Sequence, residues 1–382
     1  MKTERLYDKS SKIKEFNATV LSSTEEKGVY KTVLDKTAFF PEAGGQPCDK
    51  GTVNGINVLD VKIENDIIIH YLSEELSEGE NVSGKIDFKR RFSFMQNHSA
   101  EHIISGIVNR KYGYDNVGFH LNEEFVTLDF DGILSKTQID GVEYLANEVV
   151  WKNLNIKAYY PTEDELKGIS FRQKKEISGD IRLVEIEDTD ICACCAPHVE
   201  KTGEIGLIKL LGCEKMRGGI RLYMKAGSYA LTDYNDKFNN ITDIQNLLSV
   251  KSDETAQAVI DLTNRFNEEK QRIKELKVKI TDIIANSDTE SKFIFADDFE
   301  MRDLQILADK RFKNTGKTAL VLAKQQNGSF AFTICGSENE TNALMTKLRE
   351  RLNVRGGGRN GMISGSINGE ENRLREILNE LD

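Results

Sequence analysis

The chain has 382 residues, 39% of them hydrophobic and 30% charged, enough for two or three domains with real cores. Its formal net charge of −10 excludes a uniformly basic nucleic-acid-binding surface and leaves a local basic face as the way to hold RNA. No apolar run approaches the roughly 18 residues of a membrane span, and residues 1–18 lack the apolar stretch of a signal peptide, so the cytoplasm is the expected compartment.

Residues 1–92 read as a β-rich, barrel-like domain. Short strand patterns at 28–34, 57–63 and 66–72 are separated by Gly, Asn and Glu-Gly turns. Residues 93–235 read as an α+β domain. A helical period over 93–111 sets Met95, His98, His102 and Ser105 on one face. Residues 125–130 alternate as a strand; Ile139, Val142, Leu145 and Val149 mark a second helix; 155–160, 180–187, 204–211 and 220–225 read as further strands. Residues 236–288 form a long polar helical spacer. There Val259, Leu262, Phe266, Ile273, Leu276, Ile280 and Ile283 fall on heptad positions, broken only by Glu269. A solvated coiled coil and an amphipathic helix packed on its own domain are both open readings. Residues 289–382 are α/β, with strands at 317–324 and 329–335 meeting near Asn327-Gly328, a hairpin signal. Between two helices, 354–362 reads as a glycine-rich basic loop. The fold class as a whole is α+β.

Six cysteines and five histidines are present. Cys192, Cys194 and Cys195 fall within four positions, which fits metal binding in a reducing compartment better than a disulfide framework. His98-Ser-Ala-Glu-His102 places two imidazoles one helical turn apart, able to grip one ion. Cys194-Cys-Ala-Pro-His198 adds a thiol and an imidazole on a loop that Pro197 keeps from being helical. A His/His/Cys/His set is tetrahedral N/S ligation and points to zinc. Cys192 and Cys195 compete with Cys194 for the thiolate role.

These motifs carry a resemblance. Residues 90–102 resemble the first metal motif of the editing domain of alanyl-tRNA synthetase and its free-standing relatives, the AlaX family, and Cys194–Val199 resembles the second. Phe39-Phe-Pro-Glu-Ala-Gly-Gly-Gln-Pro-Cys-Asp49 resembles their glycine-rich loop. Residues 205–209 and 218–221 resemble the segments that follow. Gly356-Gly-Gly-Arg359, after the long helix, resembles the synthetase's C-terminal domain, which some phosphoesterases share. The match runs in order along nearly the whole chain. It departs at Cys195-Ala-Pro197, where the family usually has Gly-Gly-Thr, and at Ala43, where a third glycine is common. The synthetase's activation domain has no counterpart, so the chain is not expected to charge tRNA.

The resemblance implies a trans-editing hydrolase that removes serine, and glycine as a second substrate, from alanine tRNA. Zinc would be held by His98, His102, Cys194 and His198, and would polarise the carbonyl, orient the substrate or activate water. Thr37 and Gln46 are the expected readers of the serine hydroxyl; turn chemistry and strand capping are the alternative. Gly44, Gly45, Arg221, Arg355, Gly356, Gly357, Gly358 and Arg359 are the expected tRNA contacts, and Lys347, Arg349 and Arg351 extend a local basic face. A homodimer through the C-terminal domain or the heptads is a further expectation. The rivals are a non-catalytic zinc-stapled RNA-binding protein, an editing hydrolase for another tRNA, and a phosphoesterase, whose Asp-His-His signature is missing.

Overall fold

The computed structural model describes residues 2–173, 180–287 and 291–381, which divide into two compact units, 1–243 and 244–382. In the first unit six antiparallel strands, β1 (Glu15–Glu26), β2 (Val29–Leu34), β3 (Gly51–Val53), β4 (Ile56–Glu64), β5 (Ile67–Leu72) and β6 (Asn81–Ile86), pair in the ring order β1-β2-β5-β4-β3-β6 and close on themselves. Period-two alternation sends Val20, Leu34, Val61, Ile68, Leu72 and Val82 inward. The β3–β4 connection is Asn54-Gly55, both at positive φ (48° and 83°), the conformation a two-residue hairpin turn requires.

Helix α1 (Phe88–Tyr112) starts five residues before the expected Ser93, because Asp87 caps it by accepting from Arg90 N, and Gly113 at φ 71° ends it. The boundary expected between 92 and 93 therefore falls inside a helix. Arg91 ties this helix to the barrel. Its buried guanidinium donates to both carboxylate oxygens of Asp49 and to Ala38 O.

Around α1 lie β7 (Asn116–Leu121), β8 (Val126–Phe130), α2 (Lys136–Lys152), β9 (Ile156–Tyr159), β10 (Leu183–Ile186), β11 (Asp190–Ala193), β12 (Ile208–Met216), β13 (Gly219–Ala226) and α3 (Ser228–Leu248). They form one sheet in the order β12-β13-β8-β7 and a second, β9-β10-β11. Some details differ from the sequence reading. β7 and β11 are unexpected strands, held by their ladders to β8 and β10. Thr202–Ile205 is a 3-10 turn, so the next strand begins at Ile208 rather than Glu204. Helix α3 runs through the boundary expected at 235/236. Buried Phe94, Ile103, Ile104, Leu128, Val142 and Leu222 form a core separate from the barrel's.

The second unit comprises α4 (Thr255–Ala285), β14 (Phe293–Phe295), α5 (Met301–Thr315), β15 (Ala319–Lys324), β16 (Phe330–Cys335), α6 (Glu338–Arg351), β17 (Asn353–Arg359), β18 (Met362–Asn368) and α7 (Glu371–Leu381). Its sheet runs β14-β15-β16-β18-β17. The expected boundary between 288 and 289 lies outside the described residues. The glycine-rich stretch at 354–362 is not a loop: residues 353–359 are the edge strand β17, turned at Asn360-Gly361, both at positive φ. A Cβ on Gly356 would sit 2.5 Å from Ser364 O, and one on Gly358 1.8 Å from Met362 O; the glycines permit this close pairing. The heptad residues of α4 are 43–70% exposed. The helix instead docks on α5 through another face, where Thr281 and Ala285 are buried and Lys277 pairs with Asp303 at 3.2 Å.

Candidate metal centre

His98 and His102 lie one turn apart on the most deeply buried stretch of α1, each 1% exposed. Cys194 and His198 arrive on the segment that leaves β11. Arg182 shapes that segment by donating to Cys194 O (3.0 Å) and Ala196 O (2.9 Å) while its own carbonyl accepts from Cys194 N (3.0 Å). Ala196 packs into the barrel core and Val199 into the neighbouring one, so the loop is pinned from both sides.

One ligand atom from each of His98, His102, Cys194 and His198 lies within 4.8 Å of every other. Cys194 Sγ is 3.5 Å from His98 Nε2 and 3.4 Å from His198 Nε2. Zinc bonds of about 2.0–2.3 Å in a tetrahedron place donors roughly 3.3–3.8 Å apart, so this spacing fits an ion. Burial pushes the Cys194 thiol well above its usual range.

Each imidazole meets a polar group through its far nitrogen. His98 Nδ1 is 2.8 Å from Gln46 Oε1, His198 Nδ1 is 3.0 Å from Ser99 Oγ, and His102 Nδ1 is 3.3 Å from Asp190 Oδ2. Gln46 Oε1 can only accept, so His98 Nδ1 donates and its Nε2 lone pair faces the thiol, while His198 also turns Nε2 toward the thiol. Gln46 is fully buried, and its Nε2 has no hydrogen-bond partner among the described residues.

The cluster opens, through His98, His102 and Cys194, into a cleft of about 650 Å³ also lined by Gly44, Gly45, Phe119, Tyr160, Arg5 and Arg182. Gly44 and Gly45 (φ 60° and 81°) form the tip of a hairpin between Ala43 and Gln46, whose amides and carbonyls bond reciprocally at 3.2 and 3.0 Å. Phe119 stacks at 4.7 Å on His98.

Among the expected site residues, the structure brings Gly44, Gly45, Gln46, His98, His102, Cys194 and His198 together. Cys192 and Cys195 are outside the four-donor set; Cys195 is exposed. Thr37 and Gln46 are both fully buried and neither is among the residues that line the cleft, though Gln46 touches His98, which does. His70 Nδ1 lies 3.2 Å from Thr32 O, so Nε2 accepts the Thr37 hydroxyl at 2.8 Å, and that oxygen accepts from Phe39 N at 3.1 Å. With its hydroxyl used this way, Thr37 ties its loop to the barrel. Arg221 is held by Asp129 through two contacts of 2.7 Å. Arg355, Gly356, Gly357, Gly358 and Arg359 sit on β17 in the second unit. There Arg349 donates to Gly356 O (2.9 Å) and Arg351 pairs with Glu380 (2.6 Å), so part of the expected basic face is already engaged. The sequence reading missed Ser99, Arg172, Arg182 and Asp190. Ser99 lay inside the histidine motif and Asp190 four residues before Cys194, but only the fold aims them at the imidazoles.

Two family models match the chain. One, described as tRNA synthetases class II (A), covers residues 4–90; the other, the threonyl and alanyl tRNA synthetase second additional domain, covers residues 181–223. The alanine–tRNA ligase of Methanococcus maripaludis is 28% identical over 98% of this chain and 43% of its own length. The alanyl-tRNA editing protein AlaX-L of Pyrococcus horikoshii is 25% identical over 99% of this chain and 98% of its own. The alanine–tRNA ligase of Methanobrevibacter smithii is 30% identical over 83% of this chain and 37% of its own. The chain thus spans less than half of the ligases and nearly all of the editing protein. With the motifs in the same order from end to end, the chain is similar to the alanyl-tRNA editing protein over nearly its whole length, and residues 181–223 match the threonyl and alanyl tRNA synthetase second additional domain.

Proposed function

We propose that the chain is an aminoacyl-tRNA deacylase acting in trans on alanine tRNA that carries serine. Water adds across the ester bond, releasing the free amino acid and restoring the tRNA hydroxyl. The observation that carries the reading is the convergence of His98, His102, Cys194 and His198 in one cluster, three of them lining a cleft beside the Gly44–Gly45 turn. Three imidazoles and a thiol are zinc donors, and zinc bound there would supply Lewis-acid polarisation of the ester carbonyl.

The remaining work falls to the chain. Gln46 orients His98 through Oε1 and keeps a buried amide N–H group to offer the substrate. Serine's hydroxyl satisfies that donor and alanine's methyl does not, which is how a polar pocket rejects the smaller substrate. Thr37 supports the wall behind this turn. The exposed edge of β17, with Arg355 and Arg359 flanking its glycines, offers backbone amides and positive charge to the tRNA backbone, with Arg221 as a secondary contact. A second copy of the chain pairs along the exposed heptads of α4. No helix among the described residues is long and apolar enough to cross a membrane.

The test is deacylation of seryl- and alanyl-tRNA, both made on alanine tRNA, with and without chelator, beside a His98→Ala/His102→Ala variant. Metal-dependent loss of serine with alanine spared is expected. A folded, zinc-loaded protein that spares both esters would overturn the reading. It would favour a zinc-stapled RNA-binding protein, a reading that the closed set of four protein donors also suits.

A further inference from the structure

We propose that Asp190, clamped by Arg172, is the positioning residue that fixes His102 for metal binding. The inference rests on the zinc reading above.

His102 belongs to two candidate donor groups. One is the four-residue cluster; the other is His102, Asp190 and Cys192. The second group does not suit a cation. Arg172 Nε and Nη2 lie 2.7 Å from Asp190 Oδ1 and Oδ2, so a guanidinium already occupies the carboxylate's two-pronged face, and an ion beside it would be repelled. Oδ2 also faces His102 Nδ1 at 3.3 Å, with both side chains 1–2% exposed. The approach is close without the alignment of a hydrogen bond. It reserves Nδ1 for the carboxylate and leaves Nε2 as the nitrogen that enters the cluster.

The backbone is built for this contact. Asp190 opens β11, and the same strand ends one residue before Cys194, so one short strand delivers a ligand and the support of another. Arg172 reaches it through a parallel bridge: Arg172 N donates to Ile191 O (2.8 Å) and Ala193 N to Arg172 O (2.9 Å). Gly106, one turn beyond His102, lets the strand approach the helix. A Cβ there would stand 2.6 Å from Thr189 O and 2.8 Å from Asp190 Cβ.

The experiment strips the full-length protein of metal and titrates zinc against a chromophoric chelator. Asp190→Asn is expected to weaken zinc binding about 10–100-fold, the usual effect of losing a carboxylate behind a ligating histidine. In a His102→Ala background the same substitution is expected to change affinity by no more than about twofold, since residues acting through one another are not additive. An equal loss in both backgrounds, or no loss in either, would overturn the proposal. Should Asp190→Asn fail to fold by circular dichroism, Arg172→Lys, which keeps the charge but loses the two-pronged grip, is read the same way and is expected to give a smaller loss. Cys192→Ser is expected to bind zinc as the parent does; weakened binding would mark the second group as the metal site and overturn the proposal. A parent protein that binds no zinc would sink the zinc reading itself.

Discussion

Gln46 Oε1 and His98 Nδ1 meet at 2.8 Å with both side chains buried, so one contact joins the barrel's glycine turn to the helix that carries half of the metal donors. Its two ends have separable roles. Gln46→Leu removes both the acceptor that holds His98 and the amide donor, and is expected to weaken zinc binding about 10–100-fold. Gln46→Glu keeps an acceptor for His98 but has no N–H to offer. It should bind zinc nearly as the parent does while losing preference for seryl- over alanyl-tRNA. Chelator competition and paired deacylation assays read the two effects; a glutamate variant with intact selectivity would remove Gln46 from substrate reading.

Gly45 tests how tightly the turn is built against the site. Its φ is 81°, and an added Cβ would lie 2.6 Å from Phe119 O and 2.8 Å from the Phe119 ring. Gly44 has only Cys195 Sγ nearby, at 3.7 Å. Gly45→Ala is therefore expected to cost about 1–3 kcal/mol of stability and to lower deacylation by displacing the ring stacked on His98. Gly44→Ala should be the milder change. Thermal melting and initial rates of the two variants, run together, check that order.

His70 should make stability depend on pH. Burial lowers its pKa from 6.5 to about 4. Below pH 6.5 the unfolded chain takes up a proton that the folded chain refuses, so stability falls as pH drops from about 6.5 toward 4 and is unaffected by His70 above that window. The full effect is about 3 kcal/mol. Urea midpoints measured between pH 4 and 7.5 for the parent and for His70→Gln should diverge, the parent being the steeper. Parallel curves would show that His70 does not control this window.

The Arg91–Asp49 pair is expected to hold the barrel on α1. Breaking it leaves an uncompensated charge in a place 0–1% exposed, so Asp49→Ala should destabilise the first unit by about 3–5 kcal/mol. Chemical denaturation followed by tryptophan fluorescence, with Trp151 as the chain's single tryptophan, measures this. A cost below about 1 kcal/mol, typical of an exposed pair, would show that the pair is not structural.

Arg355→Glu with Arg359→Glu should weaken tRNA binding and flatten its dependence on salt, by about one unit of log–log slope for each phosphate that the protein no longer neutralises. Filter binding across a salt series gives the slope. An unchanged slope would place the tRNA elsewhere than β17.

Much of the site was legible in the sequence because it depends on local spacing. A spacing of four from His98 to His102 is one helical turn wherever the helix goes, and Pro197 makes a non-helical loop of the Cys194–His198 segment regardless of what surrounds it. The α+β alternation could be read for the same reason, since periods of 2 and 3.6 are properties of the chain itself. Helix starts were harder. Asp87 was a usable cap signal, but the apolar pattern became regular only after Arg91. The glycines of 356–358 read as a loop because glycine is a weak strand former; the ladder to β18 overrode that preference.

What the sequence alone determined, then, was which chemical groups are present and which near neighbours share a turn: an imidazole pair, a thiol–imidazole pair, a glycine-rich loop, a heptad stripe. Only the tertiary structure decided which of three neighbouring cysteines enters the cluster, which ring nitrogen of His98 and His198 faces the thiol, that Thr37 is spent on His70, and that Arg172 and Asp190 stand behind His102. These pairings join residues tens of positions apart. No periodicity encodes them, and they exist only once the barrel, α1 and β11 are packed against one another.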